Sequence, residues 1–136
     1  MAASAVLDTN VLVSGLLFPN GLPSRLLDSA IERQFEMVLS DYILEEVDEV
    51  LSRIPGVPIT TRHAAVKVLM DSCRLVIPAK GAWAVRDPKD LPIVGTAVAG
   101  QVDYLVTGDK DLLSLRKVAT VLIVTPRSFA SIMAVE

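Results

Sequence analysis

The sequence predicts an α/β fold of three layers, α/β/α, with a parallel sheet covered by helices on both faces. Short β-type runs alternate with longer helical runs along the chain, the pattern of parallel α/β sheets. Apolar residues make up 51% of the chain and aromatics only 4%. Val, Leu, Ile and Ala must therefore fill the core, as in sheets buried on both faces. No repeat, low-complexity tract or linker interrupts the pattern. A chain of 136 residues is one domain, long enough to bury its core without staples.

The elements follow in order. Residues 5–7 read as a first strand and 11–18 as a helix ending before Pro19-Asn20-Gly21. A second helix covers 24–33, with Leu26, Leu27, Ala30 and Ile31 on one side. Residues 35–39 are a strand, and Ser40 is placed to cap the helix 41–53, which stops before Pro55-Gly56. Thr60 or Thr61 caps a helix running to about Cys73, followed by a strand at 75–77 and an irregular segment at 78–89. Residues 92–99 form a helix of small residues closed by Gly100. A strand at 104–106, a helical turn at 111–115 and a strand at 121–124 lead to the terminal helix, opened by Thr125-Pro126.

Composition excludes several classes. The net charge of −3 creates no global positive field, so a polyanionic partner must be held by local basic groups or metal ions. No apolar run reaches the roughly 20 residues that span a bilayer. The stretch 11–18 lacks the basic flank of a secretory signal. The reading is a cytoplasmic protein. Cys73 has no partner for an internal disulfide and reads as a buried, inert thiol in a helical setting. A zinc site needs several N or S donors, so the lone His63 reads as a surface or packing residue.

Acids gather where such sheets bind ligands, at the C-terminal edge of the strands. Asp8 ends the first strand there. Asp109 follows the strand 104–106 in YLVTGDKD, and Asp87 and Asp90 in RDPKD precede the small-residue helix. The helix YILEEVDEVL offers a further acid. At about 100° per residue, Glu46 falls about 90° from the centre of its apolar stripe and Asp48 about 110°. Glu46 is nearer the buried face by a small margin, and Glu45 and Glu49 face solvent. Each acid also has an ordinary use: Asp8 and Asp90 as helix caps, Asp109 as a turn residue.

Convergence decides between these readings. Two carboxylates about 4 Å apart repel by about 4 kcal/mol at an effective dielectric of 20. Three or four together require cations or retained protons. Oxygen donors without His or Cys point to Mg²⁺ or Mn²⁺.

In kind and in order, VLDTNVLVSGLL, VLSDYILEEVDEVL, RDPKDLPIVGTAVAGQVDYLVTGDKDLL and VTPRSFA resemble the PIN-domain ribonucleases, in particular toxin components of type II (VapC-like) toxin–antitoxin systems. The resemblance spans about residues 6–129. It implies a mostly parallel sheet of about five strands between helices. It also implies hydrolysis of RNA by water activated by one or two Mg²⁺ or Mn²⁺ ions. Carried over by position, Asp8, Glu46, Asp90 and Asp109 are the catalytic, metal-binding acids. Asn10 matches the Asn two residues after the first acid, Thr107 the hydroxyl residue before the last, and Asp111 a frequent extra acid. Leu91-Pro92 departs from the polar residue that often follows the third acid, although Pro92 suits a helix start.

In this reading Thr9 and Asn10 orient Asp8 or the attacking water, or else cap the first helix. Arg86, Lys89 and Lys110 flank the acids and are candidates for holding RNA phosphates. The resemblance implies a cognate antitoxin and a homodimer or higher homo-oligomer as partners, with no membrane. Two rivals stand beside it. A haloacid-dehalogenase-like phosphatase needs a second Asp where this chain has Asn10, which cannot serve as general acid. A catalytically idle PIN-like interaction module would not need all four acids.

Overall fold

In the computed structural model, which describes residues 2–135, Ala5, Val6 and Leu7 are fully buried at the centre of the sheet. They belong to β1 (Ser4–Leu7), followed by α1 (Thr9–Leu17), α2 (Leu22–Ile31) and β2 (Glu36–Leu39). Next come α3 (Asp41–Ser52), α4 (Ile59–Asp71) and β3 (Cys73–Leu75). A 3-10 turn (Pro88–Asp90) runs into α5 (Leu91–Gly100) and β4 (Tyr104–Val106). The chain closes with α6 (Lys110–Leu113), β5 (Lys117–Val118), β6 (Val121–Val124) and α7 (Pro126–Met133). The six strands lie in the order β3-β2-β1-β4-β6-β5, all parallel except the β5–β6 hairpin. Helices flank this sheet: α1 packs on α2 and α3, α3 on α4 and α5, and α7 on α2. No helix among the described residues is long and apolar enough to cross a membrane.

Register positions the site. Leu7 pairs with Val106 and Ala5 with Met37. One residue beyond the strands, Asp8, Ser40 and Thr107 therefore stand side by side at the C-terminal edge. The Asp8 amide continues the ladder to Val106 O at 2.9 Å. Ser40 caps α3 as the sequence predicts, its Oγ accepting from the Ile43 amide. At the other end of the core, Phe35 and Phe129 meet edge to face with centroids 5.0 Å apart, which seats α7 on the molecule.

Several expectations shift. The sheet has six strands rather than about five, because Lys117–Val118 pairs back on β6. Strand β3 covers Cys73–Leu75, not 75–77: pairing with β2 runs from Met37↔Cys73 to Leu39↔Leu75, and Ile77 lies outside, 89% exposed. Helix α4 begins at Ile59 with Pro58 as its cap, ahead of Thr60 and Thr61. Helix α1 begins at Thr9, so Asp8 is its N-cap residue. Cys73 is a half-buried strand residue, not a helical one, and burial pushes its thiol up to about 11, which keeps it protonated and unreactive. Gly100 is the last residue of α5, and Gln101 takes the left-handed conformation that closes it. The glycine is required for packing instead, since a Cβ there would lie 2.7 Å from Val38 Cγ1.

Candidate active site

Asp8 is 6% exposed, and both of its oxygens are engaged. Oδ1 accepts from the Thr9 amide at 2.7 Å, the N-terminal amide of α1. Oδ2 accepts from Thr107 Oγ1 at 2.7 Å, and the same oxygen of Thr107 accepts from the Asp109 amide at 3.0 Å. Burial raises the Asp8 carboxyl above its usual range, the two hydrogen bonds oppose this, and nearby Glu46 and Asp109 add to the rise.

Helix α3 supplies Glu46, and the structure separates it from Asp48. Glu46 Oε1 accepts from Thr9 Oγ1 at 2.7 Å, which ties it to the residue after Asp8. Asp48 instead pairs with Arg62 Nε of α4 at 2.7 Å. It lines a cavity of about 620 Å³ between α3 and α4, together with Leu44, His63 and Met70. That cavity holds none of the four predicted acids, and His63 is an exposed residue on its wall.

Asp87 and Asp90, indistinguishable in the sequence by position alone, have different work. Asp87 is exposed and caps the 3-10 turn, accepting from the Lys89 amide at 3.0 Å. Asp90 sits at the junction of that turn with α5 and makes no capping bond with its side chain. Burial lifts its carboxyl to about 6, and Asp109, Asp8, Asp87 and Glu46 contribute repulsion. Asp109 caps α6 by accepting from the Asp111 amide at 2.8 Å. Four chain segments thus bring Asp8, Glu46, Asp90 and Asp109 into one another's electrostatic field.

Sequence reasoning passed over Tyr42. Its hydroxyl donates to Lys89 O at 2.9 Å and lies 3.5 Å from Glu46 Oε2, joining α3 to the turn that carries Asp90. Its position one helical turn before Glu46 was the available signal. Burial and the neighbouring Glu46 push the Tyr42 phenol up to about 12, so it remains a donor.

The remaining candidates lie on the surface. Asn10 is exposed in the first turn of α1, and no hydrogen bond among the described residues joins it to Asp8. Lys89 and Lys110 are exposed. Arg86 is exposed and lies 3.6 Å from Asp111 Oδ1.

The donor set suits a hard divalent cation: carboxylate oxygens alone, two with raised pKa and no sulfur or imidazole beside them. Among the described residues, no three acidic, His or Cys side chains already form a finished metal cage. Hydrogen bonds from Thr9, Thr107 and the Asp111 amide engage Glu46, Asp8 and Asp109 instead.

Comparison with known proteins gives three findings. A family model described as PIN domain matches residues 4–111. The chain is 33% identical over 115 residues to the uncharacterized protein MJ1680 of Methanocaldococcus jannaschii, covering 82% of this chain and 74% of that protein. Its fold is similar to a chain in the crystal structure of VapBC2 from Rickettsia felis bound to a DNA fragment from their promoter. There the TM-score is 0.63 at 13% identity, over 90% of this chain and 98% of the other.

Proposed function

Because the chain belongs to the PIN domain family, we propose that it is a divalent-metal-dependent ribonuclease and the toxin of a toxin–antitoxin pair. The observation that carries this reading is the convergence of four carboxylates from four segments on one sheet edge, with burial and mutual repulsion raising Asp8 and Asp90. A cluster that resists ionisation in the folded protein gains when a cation replaces its protons.

Asp8, Asp90 and Asp109 would hold one or two Mg²⁺ or Mn²⁺ ions, with Glu46 as a further ligand, direct or through water. Such an ion supplies a water of lowered pKa and neutralises charge on a phosphodiester. The chain's own residues fix the geometry. Thr107 holds Oδ2 of Asp8, the Thr9 amide holds Oδ1, and the Thr9 hydroxyl aims Glu46. Thr9 therefore serves both as the first residue of α1 and as a positioning group for two acids. Asn10, exposed beside them, is available to the attacking water or to substrate. Lys89, Lys110 and Arg86 lie on the rim for phosphate contacts, and Arg86 must leave Asp111 to make one.

The antitoxin partner rests on the motif resemblance and on likeness in fold to a chain of the VapBC2 assembly. A cytoplasmic location and a homodimeric or higher state belong to the same reading. The test is cleavage of labelled single-stranded RNA with Mn²⁺ by wild type, Asp8→Asn and Asp109→Asn. Wild type should cleave and both variants should fail. Equal cleavage by all three overturns the proposal.

A further inference from the structure

Directly beside the acids lies a cavity of about 480 Å³, lined among others by Tyr42, Ile77, Lys80, Trp83, Leu91 and Pro92. It shares walls with the candidate active site. Leu91 follows Asp90 in the chain, and the Tyr42 hydroxyl touches both Lys89 O and the Glu46 carboxylate. The opposite wall is anchored: the Ala79 amide donates to Gly95 O at 2.9 Å, fixing the segment after β3 onto α5. Trp83 is seated on Gly81, where a Cβ would come within 2.5 Å of Cζ2 of the indole. The glycine leaves room for the ring to lie against the backbone. Ile77, 89% exposed, extends the apolar surface at this loop, and Lys80 is exposed there too.

We infer that this cavity is a nucleobase subsite, receiving the base of a nucleotide adjacent to the phosphate over the acids. The inference rests on the nuclease reading and names where its substrate binds. Flat aromatic walls with a nearby cation are the features by which proteins hold unpaired bases without reading their sequence. The volume falls within the usual range of small-ligand pockets, about 300 to 1,000 Å³. With the chain at net charge −3, Lys80 on the cavity wall and Lys89 in the adjoining turn are the cations on this side of the acids that can meet a phosphate. A purely apolar protein segment would gain nothing from those lysines, nor from direct continuity with Asp90.

Trp83 is the chain's single tryptophan, so its emission reports this cavity alone. Adenosine 5′-monophosphate should quench it and inorganic phosphate should not, in the full-length protein. In cleavage assays with Mn²⁺ and a labelled RNA octamer, Trp83→Leu should raise KM by about 5- to 150-fold, the worth of one stacked base, with kcat little changed. Trp83→Phe should restore most of the affinity, and thermal melting should show both variants folded. An active wild type matched in KM by Trp83→Leu overturns the subsite and leaves the nuclease reading standing. A wild type that neither binds nor cleaves RNA overturns both. Emission unmoved by the nucleotide but shifted by a leucine-rich amphipathic peptide assigns the cavity to a protein partner and overturns the inference.

Discussion

The Thr107 hydroxyl donates to Oδ2 of Asp8 at 2.7 Å, although the two residues stand 99 positions apart in the chain. Thr107 is fully buried, so this bond is shielded from water, and its oxygen also receives the Asp109 amide at 3.0 Å. One hydroxyl therefore fixes the spacing of two acids. Thr107→Val should cost about 1–3 kcal/mol of stability, since both the Asp8 oxygen and the Asp109 amide lose a partner. RNA cleavage should fall about 10- to 100-fold, as when groups that orient metal ligands are removed. Thr107→Ser should preserve both. Denaturant unfolding and cleavage assays on the same samples decide it.

Acidity should stabilise the metal-free protein. Asp90 holds its proton up to about pH 6 when folded, against an ordinary value of 3.8. Over that interval the folded protein binds a proton that the unfolded chain has released. The stabilisation is complete below the unfolded value and is lost as pH rises through the folded one. Asp8 is shifted the same way. The melting temperature without metal should therefore be higher at about pH 5, inside this window, than at about pH 7.5, above it. Asp90→Asn should flatten the difference. Mn²⁺ should raise the melting temperature more at the higher pH, where protons no longer compete with it. A profile unchanged by Asp90→Asn would contradict the assignment.

Tyr42→Phe isolates one hydroxyl. The ring, and with it the wall of the neighbouring cavity, stays in place. The bond to Lys89 O is lost, at about 1 kcal/mol. The turn bearing Asp90 is then less firmly tied to α3, and Mn²⁺ affinity measured by calorimetry should fall severalfold. Unchanged affinity would mean that Pro88–Asp90 is held by its own capping alone.

Gly95→Ala sets two effects against each other. Alanine is the better helix former by about 1 kcal/mol. Its Cβ, however, would lie 2.3 Å from Ala79 O, a backbone atom with nowhere flexible to retreat. Displacing the segment also weakens the bond from the Ala79 amide to Gly95 O. Overpacking should win, with a net loss of about 1–3 kcal/mol by urea unfolding.

How far the sequence could be read follows from how local each signal is. The alternation of elements, the Ser40 and Thr125 caps and the edge positions of Asp8 and Asp109 depend on a few adjacent residues, and the fold carries them. Strand β5 is two residues long, too short for any periodicity to mark. The strong β propensity of Val76 and Ile77 points to a strand at 75–77, whereas pairing with β2 ends at Leu75. The choice between Glu46 and Asp48 rested on an angular difference of about 20°, and only the partners Thr9 and Arg62 separate them. For Tyr42 the spacing of four residues from Glu46 is a weak signal by itself, and its shorter hydrogen bond goes to a carbonyl 47 residues away.

The register that aligns Asp8, Ser40 and Thr107 also sets a timetable. Side chains in a strand alternate faces, so β1 aims Asp8 correctly only when paired in register with β4. Strand β4 follows β1 by about a hundred residues. During synthesis, then, the hydroxyl and the last acid that complete the surroundings of the first acid come about a hundred residues after it. A nascent or truncated chain that stops short of Asp109 has no assembled acid cluster. The acids at this edge come together in one step, when the two distant strands meet.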